Sequence, residues 1–442
     1  MNGSIHYSEV MLEELARIGR DPATHGYLRD AWSAPELELR EWFAGEAARR
    51  GLDLREDRNG NLWAWWGDPA RRPGVVTGSH LDSVRQGGAY DGPLGVVSAF
   101  AALDVLKNRD FRPNRPLGVA CFTDEEGARF GVPCVGSRLL TGVLSPSRAL
   151  ALKDDEGDTL ADVLTQAGRD PRGLGRDDET LAMVGTFVEL HVEQGVGLAG
   201  LGRPVGVASA IWPHGRWRFD FRGQANHAGT TRLADRDDPM LPFARLVLAA
   251  RDAASRRDIV ATVGKVRVSP NNANAVPGLV SAWLDVRGPD DADVHALVAE
   301  LRALASTPAG GAAEGGAADG GGAEGGAAGG RAAERGAAGG GAGGAGGVTV
   351  EVAEESWTPV VDFDHGLRER LAAVVGGAAP APILATGAGH DAGILAAAGV
   401  PSAMLFVRNP TGVSHSPQEY AEPADCEAGV VALASVLEEL CR

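Results

Sequence analysis

The sequence predicts an α/β protein: a mostly parallel sheet with helices on both faces, interrupted by a smaller α+β domain. Three observations predict it. Short apolar runs alternate with helical runs through the first half of the chain, the texture changes near residue 212, and α/β texture returns after residue 358. Alternating strands and helices argue parallel βαβ units, and a break followed by a return argues an insertion. The expected bounds are 1–211 and 358–442 for the larger domain and 212–357 for the inserted one. At 442 residues the chain is long enough for two separate cores.

Residues 8–20 and 34–50 have the spacing of amphipathic helices. The second is opened by Ser33-Ala-Pro-Glu36, a capping-box pattern with proline just inside the start. "PGVVTGSH" reads as a strand, residues 94–107 as a helix, and "LGVACFT" and "TFVELH" as further strands. In the insertion, "RWRFDFRG" alternates like a half-exposed strand, "PMLPFARLVLAARDAASRR" is helical, and "ATVGKVRV" and "VSAWLDVRG" are strand-like. "DADVHALVAELRALA" is a second helix and "VTVEVAEE" a final strand, giving βαββαβ, a ferredoxin-like sandwich of one sheet and two helices. Beyond it, "PSAMLFV" is a strand and residues 425–441 a closing helix. Ala309–Gly347 is almost wholly Gly and Ala. It lacks the Lys-Ser/Thr and the strand–helix frame of a phosphate loop, so it is expected to be a flexible, dispensable insertion.

A formal net charge of −17 argues against nucleic acid and anionic membrane surfaces as partners. No stretch approaches a membrane span, and the N-terminal residues lack a signal-peptide core. Four cysteines form no CxxC pair, which fits a reducing, cytoplasmic setting.

The polar residues gather where the strands end, the place where open α/β sheets put ligand sites. "GSHLDS" delivers His80 and Asp82, and a glycine-bent loop then presents Asp91 in "AYDGPLG". "FTDEEGARFG" sets Asp124, Glu125 and Glu126 side by side, "VELHVEQG" offers Glu189, His191, Glu193 and Gln194, and "GVSHSP" offers His415. Adjacent carboxylates after a buried strand make sense facing cations, and histidine with carboxylate suits a borderline metal. The set is too large for one open catalytic zinc and suits two metals sharing a bridging carboxylate, for which Asp91 is the candidate. Asp82, two residues beyond His80 on an extended chain, is placed to accept the proton of the far ring nitrogen. Of Glu125 and Glu126, one can ligate while the other stays free as a base.

The succession "GSHLDSV…GGAYDGPLG", "TDEEGARFG", "VELHVEQG", "QANHAGTT", "NNANAVPG", "GAGHDAG" and "GVSHSP" resembles the dizinc amidohydrolases related to aminoacylases and carboxypeptidases. Within that group it is similar to the branch of allantoate amidohydrolase and N-carbamoyl-L-amino-acid hydrolase. The resemblance implies two divalent ions per subunit, zinc or manganese. It puts His80 and His191 on one, Glu126 and His415 on the other, Asp91 between them, and Glu125 as general base. It further implies that the insertion is a lid forming a homodimer, with His227 crossing to the partner's site as a donor to the developing oxyanion. Gln194, His227, Asn274 and Arg287 would hold a small ureido or carbamoyl carboxylate. Without the resemblance, Asn274 reads sooner as a turn residue and Arg287 as a surface partner of Asp285. His390, Asp391 and His214 have no assigned role. The chemistry implied is hydrolysis of a ureido C–N bond with release of ammonia and carbon dioxide, first of allantoate in purine catabolism. N-carbamoyl-L-amino acids are the alternative. An aminoacylase or dipeptidase ranks below both, because His191 stands where those relatives carry a carboxylate. A metal-binding assembly module without turnover comes last, because Glu125 is present.

Overall fold

The computed structural model describes residues 7–307 and 347–442. The Gly/Ala tract lies outside the described residues except for Gly347. The chain divides into two compact units, Met1–Pro213 with Pro359–Arg442, and His214–Thr358.

In chain order the strands are β1 (Asp53–Glu56), β2 (Leu62–Trp66), β3 (Gly74–His80), β4 (Leu117–Phe122), β5 (Val184–Val192) and β6 (Val205–Ile211). The insertion carries β7 (His214–Arg222), β8 (Asn226–His227), β9 (Val260–Ser269), β10 (Ala275–Val276), β11 (Leu279–Arg287) and β12 (Thr349–Thr358). β13 (Val361–Asp362), β14 (Ile383–Thr386) and β15 (Ser402–Val407) follow it.

The large sheet runs β1-β2-β4-β3-β5-β15-β6-β13, with β14 against β6. Its centre, β4-β3-β5-β15, is parallel throughout. Antiparallel pairings flank that centre, so the sheet is mixed with a parallel core. The central strands read as continuous apolar runs because helices cover both faces. Val75, Val119, Leu190 and Leu405 pack in one core with Phe100 of helix Pro93–Asn108 and Leu433 of helix Pro423–Leu440. Val76, Phe122, Phe187 and Phe406 face the other way, onto Leu140 and Leu395 of helices Val135–Thr141 and Asp391–Ala397.

Helix Ala34–Arg49 departs from its expected cap. Ser33 occupies the N-cap position but makes no side-chain cap hydrogen bond. Glu36 instead accepts from the Trp32 N–H at 3.1 Å and pairs with Arg40 at 3.3 Å. A buried arginine outbids the cap.

The inserted unit is a four-stranded antiparallel sheet in the order β12-β7-β11-β9, the βαββαβ arrangement. Helices Met240–Ser255 and Asp291–Ala305 cover one face, with Phe219, Phe221, Ala282, Leu246 and Leu297 among the buried contacts. A two-stranded ribbon, β8 with β10, is added to this plan. Among the described residues no helix is long and apolar enough to cross a membrane.

Candidate active site

β3, β4, β5 and β15 end at one margin of the large sheet, and the loops that follow them carry the polar residues. His80 is the last residue of β3 and is fully buried. Its Nδ1 lies 3.0 Å from the backbone carbonyl of Asp82, which fixes the proton there and turns the Nε2 lone pair inward. His191 repeats the arrangement, with Nδ1 2.9 Å from the Val192 carbonyl. Asp82 thus serves His80 through its carbonyl, while its carboxylate stands 3.5 Å off. That carboxylate instead accepts from the N–H groups of Glu125 at 3.1 Å and Glu126 at 3.0 Å. Asp82 therefore stands at the far ring nitrogen of His80 as expected, with its carbonyl nearer than its carboxylate, which also receives two backbone donors 43 and 44 residues away.

The loop after β3 folds back over His80. Gly92 has φ +83°, and a Cβ there would lie 2.4 Å from the His80 ring, so glycine is required for this approach. Asp91 is brought beneath three imidazoles. Its Oδ1 is 3.1 Å from His191 Nε2 and 3.6 Å from His80 Nε2, while its Oδ2 is 3.3 Å from His415 Nε2. Glu126 reaches the same His415 nitrogen at 3.5 Å. Glu125 lies 3.7 Å from His80 Nε2. Asp124 and His415 both hold positive φ, 54° and 53°, a backbone region that non-glycine residues enter at a cost.

The electrostatics follow from burial. Burial pushes the Glu125 carboxyl well above the usual range, with Asp391 and Glu126 adding to it against the pull of His80. Burial and the nearby Asp91 push Glu126 up to about 7. Burial opposes the charged form of His80, yet Glu125, Asp82 and Asp91 together hold its pKa well above the ordinary value. For Asp91, burial is outweighed by His191, His415 and His80, which hold it well below.

This donor set fits divalent cations. Among the described residues, the Nε2 atoms of His80 and His191 and Oε1 of Glu126 are buried with no well-aligned hydrogen-bond partner. With Nδ1 protonated, each Nε2 lone pair faces a carboxylate oxygen, an arrangement that repels unless a positive charge sits between. His80, Asp91 and His191 form one group able to hold an ion, and Asp91, Glu126 and His415 another, sharing Asp91.

Gln194 donates to Asp91 Oδ2 at 2.8 Å, so it lies against the shared carboxylate. Glu193 is occupied elsewhere, accepting from the N–H groups of Gly197 and Leu198. His390 packs on His191 with ring centroids 4.4 Å apart, and Asp391 accepts from Ser137 Oγ. In the inserted unit, β8 and β10 set His227 opposite Ala275, and the Ala228 N–H donates to the Asn274 carbonyl at 2.9 Å. His227 and Asn274 are thus brought together on one ribbon. On β11, Asp285 grips Arg287 at Nε (2.7 Å) and Nη2 (3.1 Å) and also accepts from Arg216.

Two residues of this site escaped the sequence reading. Glu419 accepts from the N–H groups of Tyr90 (2.9 Å) and Asp91 (3.0 Å), and Ser414 Oγ lies 3.0 Å from Glu419 and 3.3 Å from Asp91. Together they tie the Asp91 loop to the His415 loop. The only signal is their closeness to His415 in "GVSHSPQEY".

The profile of peptidase family M20/M25/M40 matches residues 76–439. An N-carbamoyl-L-amino acid amidohydrolase of Geobacillus stearothermophilus is 33% identical, covering 98% of this chain and 97% of its own. An allantoate amidohydrolase of Escherichia coli K12 is 30% identical over 98% of this chain and 97% of its own. The crystal structure of an amidase of the hydantoinase/carbamoylase family from Burkholderia vietnamiensis superposes with a TM-score of 0.82 at 28% identity, covering 98% of this chain and 97% of that one.

Proposed function

The chain belongs to peptidase family M20/M25/M40 and is a metal-dependent hydrolase, and we propose that it cleaves a C–N bond of a ureido or N-carbamoyl carboxylic acid. Allantoate is the first substrate of this reading. The 33% identity to a carbamoylase makes N-carbamoyl-L-amino acids the second. The observation that carries the reading is the division of Asp91, one oxygen toward His80 and His191 and the other toward His415, with Glu125 alongside.

His80 and His191 would hold one cation, Glu126 and His415 the other, with Asp91 shared. When bound, such a pair lowers the pKa of a water and polarises a carbonyl. Glu125, pushed up by burial, removes the proton from the attacking water and returns it to the departing nitrogen. His227 and Asn274 donate to the oxyanion, Gln194 steadies the substrate beside Asp91, and Arg287, oriented by Asp285, clamps the substrate carboxylate. We place the enzyme in the cytoplasm on the strength of its four free, buried cysteines. The inserted unit is proposed as the homodimer interface. Leu241 and Leu248 on helix Met240–Ser255 are 59% and 72% exposed, and β9 ends its sheet with one edge unpaired among the described residues.

A panel of allantoate, N-carbamoyl-L-amino acids, N-acyl amino acids and dipeptides, followed by ammonia and amine release, tests the substrate class. Preference for a dipeptide or an N-acyl amino acid overturns it. Elemental analysis is expected to find about two divalent ions per chain. One tightly held ion with full activity removes the two-metal reading.

A further inference from the structure

His227 opens a turn in which Gly229, Thr230 and Thr231 all donate back to it. Its Nδ1 accepts from the backbone N–H of Gly229 at 3.0 Å and of Thr230 at 3.2 Å. A nitrogen receiving two N–H donors carries no proton of its own, so the ring is the neutral tautomer with its proton on Nε2. That leaves Nε2–H as the ring's one donor.

The turn has a visible cause. Arg236 donates from Nη2 to the Ala228 carbonyl at 2.6 Å and to the Thr231 carbonyl at 3.0 Å, and from Nε to Thr231 again at 3.1 Å. In a trans peptide the C=O of Ala228 and the N–H of Gly229 point in opposite directions. Drawing the Ala228 carbonyl onto Arg236 therefore aims the Gly229 N–H at His227. Thr231 Oγ1 closes the far side by donating to the His227 carbonyl at 2.7 Å. We infer that Arg236 is a positioning residue: by gathering the Ala228 and Thr231 carbonyls it fixes His227 as an Nε2–H donor. The inference rests on the proposed oxyanion role of His227 only for its effect on rate, because the tautomer is observable without turnover.

The test is nitrogen NMR of protein labelled in its histidine rings, with the His227 signals assigned by their loss in His227→Gln. Wild type is expected to show an unprotonated Nδ1 and a protonated Nε2 at His227. Arg236→Ala is expected to give a mixture of tautomers and a kcat lower by about 10²-fold with KM unchanged, the scale of a mispositioned catalytic group. Arg236→Lys, able to reach one carbonyl, is expected to fall between, and it carries the same readouts if the alanine variant does not fold. Arg232→Ala, which breaks only the pair with Asp235 in the same loop, is expected to change neither. A protonated Nδ1 in wild type overturns the inference, and so does an Arg236 variant that keeps both the single tautomer and wild-type kcat. Loss of the tautomer with kcat intact leaves Arg236 as assigned and removes His227 from the chemistry instead.

Discussion

At the margin of the large sheet, the candidate ligand side chains other than His415 are buried, and the loops that carry Asp91 and Glu125 are tied to partners far along the chain. Asp91 is held by Glu419, 328 residues on, and Glu125 by Asp82, 43 residues back. On the ribbon carrying His227 and Asn274 these two residues are exposed, and the His227 turn is fixed within a few residues by Gly229, Thr230, Thr231 and Arg236. One region sets geometry by burial and distant contacts, the other by turn chemistry. In the first, the cost of desolvating charge is the source of reactivity, because it lifts Glu125 toward a stronger base. In the second, solvent is close, and the chain holds a neutral ring in place with backbone donors alone. Damage should spread widely in the buried region and stay local in the exposed one.

The largest expected effect lies in the buried region. Glu125→Gln should lower kcat by about 10⁴-fold, the upper range for a general base, while elemental analysis finds metal retained. Glu126→Gln should release metal as well. If Glu125→Gln empties the site and Glu126→Gln does not, the two roles are reversed.

Next comes the exposed region. His227→Ala should cost about 10²–10³-fold in kcat with metal retained, the price of one oxyanion donor. Refolded together with Glu125→Ala, it should recover roughly a quarter of wild-type activity. Random pairing makes half the dimers mixed, and each has one complete site if His227 serves the partner of a two-fold dimer. Confirmed mixed dimers without recovery would confine His227 to its own subunit.

Smaller again is Glu419→Gln, which keeps one acceptor where two N–H groups and a hydroxyl now converge. Chelator competition should show metal affinity lower by about 10–100-fold, as for other residues behind metal ligands. Unchanged affinity would mean that the Asp91 loop holds its shape without it. Shortening Ala309–Gly347 to a few glycines should leave kcat unchanged, since closure entropy varies slowly with loop length. A folded deletion with low activity would give the tract a role.

The contrast also explains what could be read from the sequence. That His80, Asp91, Glu126, His191 and His415 would gather in one place was legible, because each is a ligand-type residue at a strand end or glycine bend. Glu419 was not, since its partner Asp91 is distant in sequence and nothing local marks the contact. Asp82 was half legible: strand spacing put it beside His80, but only the fold brought the Glu125 and Glu126 amides to its carboxylate. The same competition displaced the expected cap at Ser33, where Arg40 holds Glu36. β6, "VGVASAI", carries small residues buried on both sides and gives no periodic signal, although it pairs with three other strands. In the inserted unit, alternation was clear because helices cover one face of its sheet. The ribbon β8/β10 has two residues in each strand, too few for any pattern.

The insertion closes on itself. Its first and last strands pair along their length with one register shift between Glu354 and Ser356, His214 lying opposite Thr358, and in the large unit Ile211 lies opposite Val361. The chain therefore leaves the large unit and re-enters it at adjacent points. For the parent sheet, the whole inserted unit is topologically equivalent to a hairpin turn. A cassette of this kind adds little closure entropy to the host's folding once it has formed its own core, and it can be exchanged without redrawing a host strand. Joining Pro213 to Pro359 by a short glycine linker should leave a large unit that folds alone, and the excised piece should be portable to another sheet with a hairpin at the same place.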